Sequence, residues 1–237
     1  MSDQGNGKTG LAAGRREFIA ATAVSAALAA VGTLVTTGAA AEEAGARVAR
    51  SLAQVRALVF DVFGTVVDWR SSIILDDLLV QVHIDGLSEE EIDHLNRAWH
   101  RLSPWPDSVG GLNRLKTRYT LSTLSNGNVS LLVDIAKNAG LPWDCVLSAE
   151  VFNHYKPDPE VYLGAAKLIG PRPEQVMMVA AHMGDLLAAK KLGLRTALVT
   201  RPLEFGPDAK ADTAADGDGV VDVVASDFVD LAARLGA

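Results

Sequence analysis

The residues of this chain that can do chemistry stand just after apolar runs. Ala57-Leu58-Val59-Phe60 is one such run, and it ends on Asp61, with Gly64 and Thr65 close behind. An apolar run closed by a carboxylate and a glycine turn reads as a buried parallel strand. It delivers Asp61 to the strand's carboxyl end, where open α/β sheets bind ligands. A carboxylate fixed there can act as a nucleophile and form an ester intermediate. The plain alternative is a turn residue at a strand end. Tyr119–Leu124 leads in the same way into Ser125-Asn126-Gly127. The hydroxyl, amide and turn N–H groups of that triplet can hold a carboxylate or a departing anion, or cap the helix that starts near Val129. Lys156 precedes Pro157, which keeps the chain extended or turning. A lysine brought near Asp61 would keep that carboxylate ionised and orient it. Asp185 follows the run Val176–Ala180 and precedes a helix, as a reactive group or as a helix cap.

Strands and helices must alternate to position these groups. Strand patterns fall at Ala57–Phe60, Tyr119–Leu124, Val146–Ser148, Val176–Ala180, Thr196–Val199 and Val220–Val224. Helical patterns fall at Val129–Ala139, Glu160–Ile169, Leu186–Leu192 and Phe228–Leu235. The expected fold class is α/β, a parallel sheet with helices on both faces. Ser71–Pro104 interrupts the alternation. Ile73, Ile74, Leu75, Leu78, Leu79 and Val82 recur at helical spacing there, and Ser88 with Glu91 is a capping box opening a helix over Glu89–Leu102. Gly206–Gly219 reads as a surface loop.

Composition bounds the function. The chain has 237 residues, 49% hydrophobic and 22% charged, which suits one globular domain with a small insert. The net charge of -7, with no basic block, argues against nucleic-acid binding. The single cysteine, Cys145, allows no intramolecular disulfide and no cysteine metal cluster, and reads as a buried structural thiol.

Residues 1–41 read as a targeting segment. A polar start leads to Arg15-Arg16-Glu17-Phe18, then an Ala-rich apolar run, then Ala39-Ala40-Ala41. That is the order of a secretory signal, and the paired arginines give it a twin-arginine form. The expectation is a signal peptide over 1–41 and a linker over 42–55. The mature protein would be periplasmic or exported through the twin-arginine machinery; the alternative is a membrane anchor left uncleaved.

Phe60-Asp61-Val62-Phe63-Gly64-Thr65, Leu124-Ser125-Asn126-Gly127-Asn128, Tyr155-Lys156-Pro157-Asp158-Pro159-Glu160-Val161-Tyr162 and Val179-Ala180-Ala181-His182-Met183-Gly184-Asp185 occur in order along the chain. Together they resemble the haloacid dehalogenase (HAD) superfamily, most closely its type II branch, from about Ala57 to the end. The resemblance implies a HAD-like Rossmannoid core over 56–237, with a helical cap inserted over 70–104. It implies metal-independent hydrolysis of small 2-haloalkanoic acids through an aspartyl ester, with no cofactor. Asp61 would attack the halogen-bearing carbon and Asp185 would activate water. Thr65, Ser125 and Lys156 would position nucleophile and substrate, Asn126 would meet the halide, and Tyr162 matches an active-site tyrosine. His182 stands in a loop where the family offers serine and asparagine, as a replacement donor or a pocket edge. Phe63 and Ala181 stand where HAD phosphatases carry acids, which disfavours a phosphatase. A third reading is a relative that kept the fold and lost its lid and activity. Only the 63 residues 62–124 separate Asp61 from Ser125, a short interval for the family, so the cap would be truncated. The segment that carries the family's substrate-binding arginine has no match here, although Arg70, Arg97 and Arg101 lie nearby. An apolar patch left by a shortened cap would favour a homodimer.

Overall fold

Four consecutive apolar residues, Ala57–Phe60, form strand β1, and every one is buried. A strand buried on both faces needs paired backbone on both edges. The computed structural model supplies it; residues 41–73 and 88–237 are described. A two-stranded ribbon pairs β2 (Val67–Asp68) with β3 (Ser103–Pro104). The main sheet joins β1 to β4 (Thr120–Thr123), β5 (Val176–Ala180), β6 (Arg195–Val199) and β7 (Val223–Ala225), in the order β4-β1-β5-β6-β7. Its pairings are all parallel. From β1 the chain crosses to β4 on one side, then to β5 on the other. The order therefore reverses at β1, and a crevice opens beyond its carboxyl end. Asp61 is held there, because its N–H still donates to Val179 O at 3.0 Å.

Alternate β1 residues face opposite layers, as a period of two requires. Leu58 and Phe60 join one core with residues of α2 (Ser108–Lys116), α3 (Val129–Ala139) and α7 (Phe228–Arg234). Val59 joins the other with residues of α4 (Pro159–Ile169) and α5 (Met183–Lys191). Capping sets these helix ends. Asn128 accepts from Leu131 N at 2.9 Å to start α3, and Gly140 ends it at a φ of 65°. Helix α1 (Glu89–Asn96) opens on the expected capping box: Ser88 N donates to Glu91 Oε2 at 2.8 Å, and Glu91 N to Ser88 Oγ at 3.3 Å.

Several expectations are corrected. Val146–Ser148 forms no strand; Cys145 and Ser148 make only single bridges to Ser122 and Ser125. Helix α2 was not expected, because Gly110 and Gly111 break its pattern. A Cβ at Gly111 would lie 2.4 Å from Phe228 Cβ, so the glycine lets α7 close on α2. Helix α5 begins at Met183, which puts Asp185 inside its first turn. The helix expected over Glu89–Leu102 ends at Asn96, followed by a 3₁₀ turn at Ala98–Arg101. The loop 206–219 contains a helical turn, α6 (Ala214–Gly217). The chain divides into units 1–50 and 51–237. The segment expected as a linker is helical over 41–52. Of the first helical pattern expected in the insert only Ile73 is described, in a turn of helix over 69–73; Ile74 to Val82, and residues 1–40 of the signal expected over 1–41, lie outside the described residues.

Candidate functional site

Asp61 is the hub. Its side chain leaves the end of β1 and is 12% exposed. Oδ1 accepts from Lys156 Nζ at 2.9 Å. Oδ2 accepts from Thr65 Oγ1 at 2.8 Å and lies 3.2 Å from His182 Nδ1. Thr65 is itself fixed, since its Oγ1 accepts from Ala181 N at 2.9 Å. One face of the nucleophile candidate therefore meets one donor and the other meets two.

Lys156 joins the two acids. Its Nζ also donates to Asp185 Oδ2 at 2.5 Å, and Tyr162 OH donates to Asp185 Oδ1 at 2.6 Å. The Lys156 side chain is 9% exposed and Asp185 10%. Asn126, itself exposed, clamps the lysine's backbone: Oδ1 accepts from Lys156 N at 2.7 Å and Nδ2 donates to Lys156 O at 3.2 Å. Ser125 is buried, and its Oγ accepts from Gly127 N at 3.2 Å. The turn after β4 thus supports the loop that carries Lys156.

These contacts set the ionisation. Burial alone would raise the Asp61 carboxyl, but the Lys156 ammonium and the His182 ring together hold it well below the usual carboxylate range. Burial pushes the Asp185 carboxyl up; Lys156 opposes this and the Asp61 charge adds to it. Burial would lower Lys156, yet its two carboxylate partners raise it. Burial and the adjoining Asp185 raise the Tyr162 phenol. The result is one firmly ionised carboxylate beside one that holds a proton more readily, separated by a fixed cation. Such a split is how a site assigns nucleophile and base.

Sequence reasoning missed Glu204. It is 3% exposed and lies in the turn after β6. Both of its carboxylate oxygens lie 3.0 Å from His182 Nε2, and Trp69 Nε1 donates to Oε1 at 3.2 Å. The available signal was topological: the turn after β6 opens at the same sheet edge as Asp61. Arg201 in that turn was missed too. Its guanidinium pairs with Asp107 at 2.7 and 2.9 Å and its Nε donates to Thr65 O at 2.9 Å, so it anchors the loop after β1. Aromatic rings adjoin the polar cluster in a chain: Phe63 to Trp99 at 6.0 Å, Trp99 stacked on Trp69 at 6.1 Å, Trp69 to Phe205 at 6.2 Å, Phe205 to His182 at 6.4 Å. Of the arginines weighed as substrate-binding candidates, Arg97 pairs with Asp93, Arg101 reaches His94, and Arg70 lies against Gly206.

Between Asp61 and Asp185 the Lys156 ammonium bonds to both carboxylates. Among the described residues, the cluster with metal-ligand spacing is His154, Asp158 and Glu160, all exposed.

A model of haloacid dehalogenase-like hydrolases matches residues 69–193. The (S)-2-haloacid dehalogenase 4A of Burkholderia cepacia is 37% identical over 123 residues, 48% of this chain and 53% of that protein. The crystal structure of an L-2-haloacid dehalogenase superposes with a TM-score of 0.70 at 40% identity, covering 77% of this chain and 99% of that one. A defluorinating L-2-haloacid dehalogenase gives 0.71 at 38%, covering 77% and 96%. The chain spans about half the length of the curated relatives it matches. It belongs to the haloacid dehalogenase-like hydrolase family.

Proposed function

We propose that the protein hydrolyses small 2-haloalkanoic acids through an ester on Asp61, without a metal. The observation that carries this reading is Lys156 bonded to both Asp61 and Asp185. Phe63 and Ala181 add no acid beside them. The relatives named as 2-haloacid dehalogenases support the same substrate class.

Asp61 Oδ2 accepts from two donors, whereas Oδ1 accepts from Lys156 alone and keeps a lone pair free. Oδ1 is therefore the attacking atom. It bonds to the halogen-bearing carbon from behind, the carbon–halogen pair leaves with the halide, and configuration inverts. Water then adds to the Asp61 ester carbon and gives a proton to Asp185, while the carbonyl pair moves onto Oδ2. Thr65 and His182 stabilise that oxyanion. The bond from the ester carbon to Oδ1 breaks, and the 2-hydroxy acid leaves with that oxygen and a proton. Asn126 and Ser125 hold the Lys156 loop in place, and Tyr162 holds Asp185.

The finer reading places a twin-arginine signal over 1–41, export to the periplasm, a truncated cap over 70–104 and a homodimer. Arg15-Arg16, the Ala-rich run and the short interval to Ser125 support it. The test is halide release from 2-chloropropionate in EDTA, with single turnover in heavy-oxygen water. We expect release, inverted product, and one heavy oxygen in Asp61. Phosphate release that depends on magnesium and is lost in Asp61→Asn would overturn the reading.

A further inference from the structure

His182 and Glu204 form a connected pair behind the nucleophile, and the mechanism above gives Glu204 no role. Both partners of the His182 ring are carboxylates, which only accept hydrogen bonds once ionised. A ring whose two nitrogens both face such acceptors has to donate from both, so it is an imidazolium. Glu204 needs that charge, because an ionised carboxylate at 3% exposure is costly without a cation beside it. Its polar contacts are the His182 ring, from Oε1 and Oε2, and the Trp69 indole N–H on Oε1. The chain makes room for this arrangement at Gly64, where a Cβ would lie 1.9 Å from Glu204 Oε1. Gly64 also sits at a φ of 79°, in the left-handed region that suits glycine.

The geometry points to Glu204 as a positioning residue that keeps His182 protonated and aimed at Asp61 Oδ2, the oxygen that becomes the oxyanion during ester hydrolysis. This deepens the dehalogenase reading and rests on it for the catalytic half. The charged groups around the ring are Asp61 at the end of β1, Lys156 bonded to Asp61, Asp185 in the first turn of the helix that His182 precedes, Asp212 on the adjoining Met183 N–H, and Arg70 against Gly206. Carboxylates touch the ring from two sides, at Asp61 and Glu204, so removing Glu204 takes away one of its two direct anionic partners. The hydrogen bonds to Asp61 and Glu204 push the imidazole up to about 10. Loss of one partner should bring it down toward the usual histidine range.

The experiment has two arms on the full chain. In the first, nitrogen NMR follows His182 across pH in the free protein and in Glu204→Gln. The wild-type ring should stay protonated through neutrality and the variant should titrate at least one pH unit lower. A neutral wild-type ring near pH 7.5, or an unmoved titration in the variant, overturns the proposal, whatever the activity. In the second arm, kcat for halide release is compared for Glu204→Gln, His182→Asn and the double variant. One lost oxyanion donor costs about a hundredfold or more, so Glu204→Gln should lose at least about tenfold, most at alkaline pH. In the His182→Asn background it should cost nothing further. Additive losses would show that Glu204 acts by another route. Absence of halide release in the wild type would sink the dehalogenase reading and leave the NMR arm standing.

Discussion

Lys156→Met isolates the ion pair on which the site turns. Methionine keeps the stem and removes the ammonium. Asp61 and Asp185 then face each other with side-chain exposures of 12% and 10% and no cation between them. Removing one partner of a buried pair costs about 3–5 kcal/mol, a factor of roughly 10² to 10⁴ in the folding constant. The loss depends on pH in a defined direction. In the wild type, Asp61 is depressed below 3.8, so its stabilising contribution is present above that value and is lost as pH falls through the still lower folded value. At pH 5 the wild type keeps all of it. In the variant both carboxyls rise, Asp185 from a value already raised. They take up protons as pH falls, which relieves the repulsion. Urea denaturation at about pH 7.5 should show the full loss, and at about pH 5 a clearly smaller one. Halide release should vanish at both. A loss below about 1 kcal/mol, or one equal at the two pH values, would refute the argument that Lys156 compensates two buried charges.

Asn126→Ala should lower kcat by a similar factor for chloro and bromo substrates, because its amide holds the Lys156 backbone; a loss confined to one halogen would favour direct halide contact. His182 gives stability its own pH signature. Its contribution is fully present below about pH 6.5 and is lost as pH rises to about 10, so denaturation midpoints should fall across that window in the wild type and stay flatter in His182→Asn. For the N-terminus, residues 1–45 fused to a reporter that folds before transport should direct export, and Arg15→Lys with Arg16→Lys should block it, because lysine keeps the charge without the guanidinium shape. Equal export of the double-lysine form would refute the twin-arginine reading.

Short-range patterns were legible in the residues alone. Strands β1 and β5 and helix α3 have the bounds that their apolar runs and caps imply. The capping box at Ser88 and Glu91 forms as its spacing requires. These features depend on neighbours a few residues away, so a linear reading reaches them. Val146–Ser148 looked like a strand because it is apolar, but strand formation needs a partner edge, and it obtains only single bridges. Helix α2 was hidden because Gly111 answers to Phe228, more than a hundred residues later. The site divides in the same way. Motif order marked Asp61, Lys156 and Asp185 and implied their roles. It was folding that bonded one ammonium to both acids, turned Asn126 onto a backbone, and brought Glu204 to His182. Such pairings join loops from the ends of different strands. Only the packed sheet sets the distances between those ends, and so the charge each group carries.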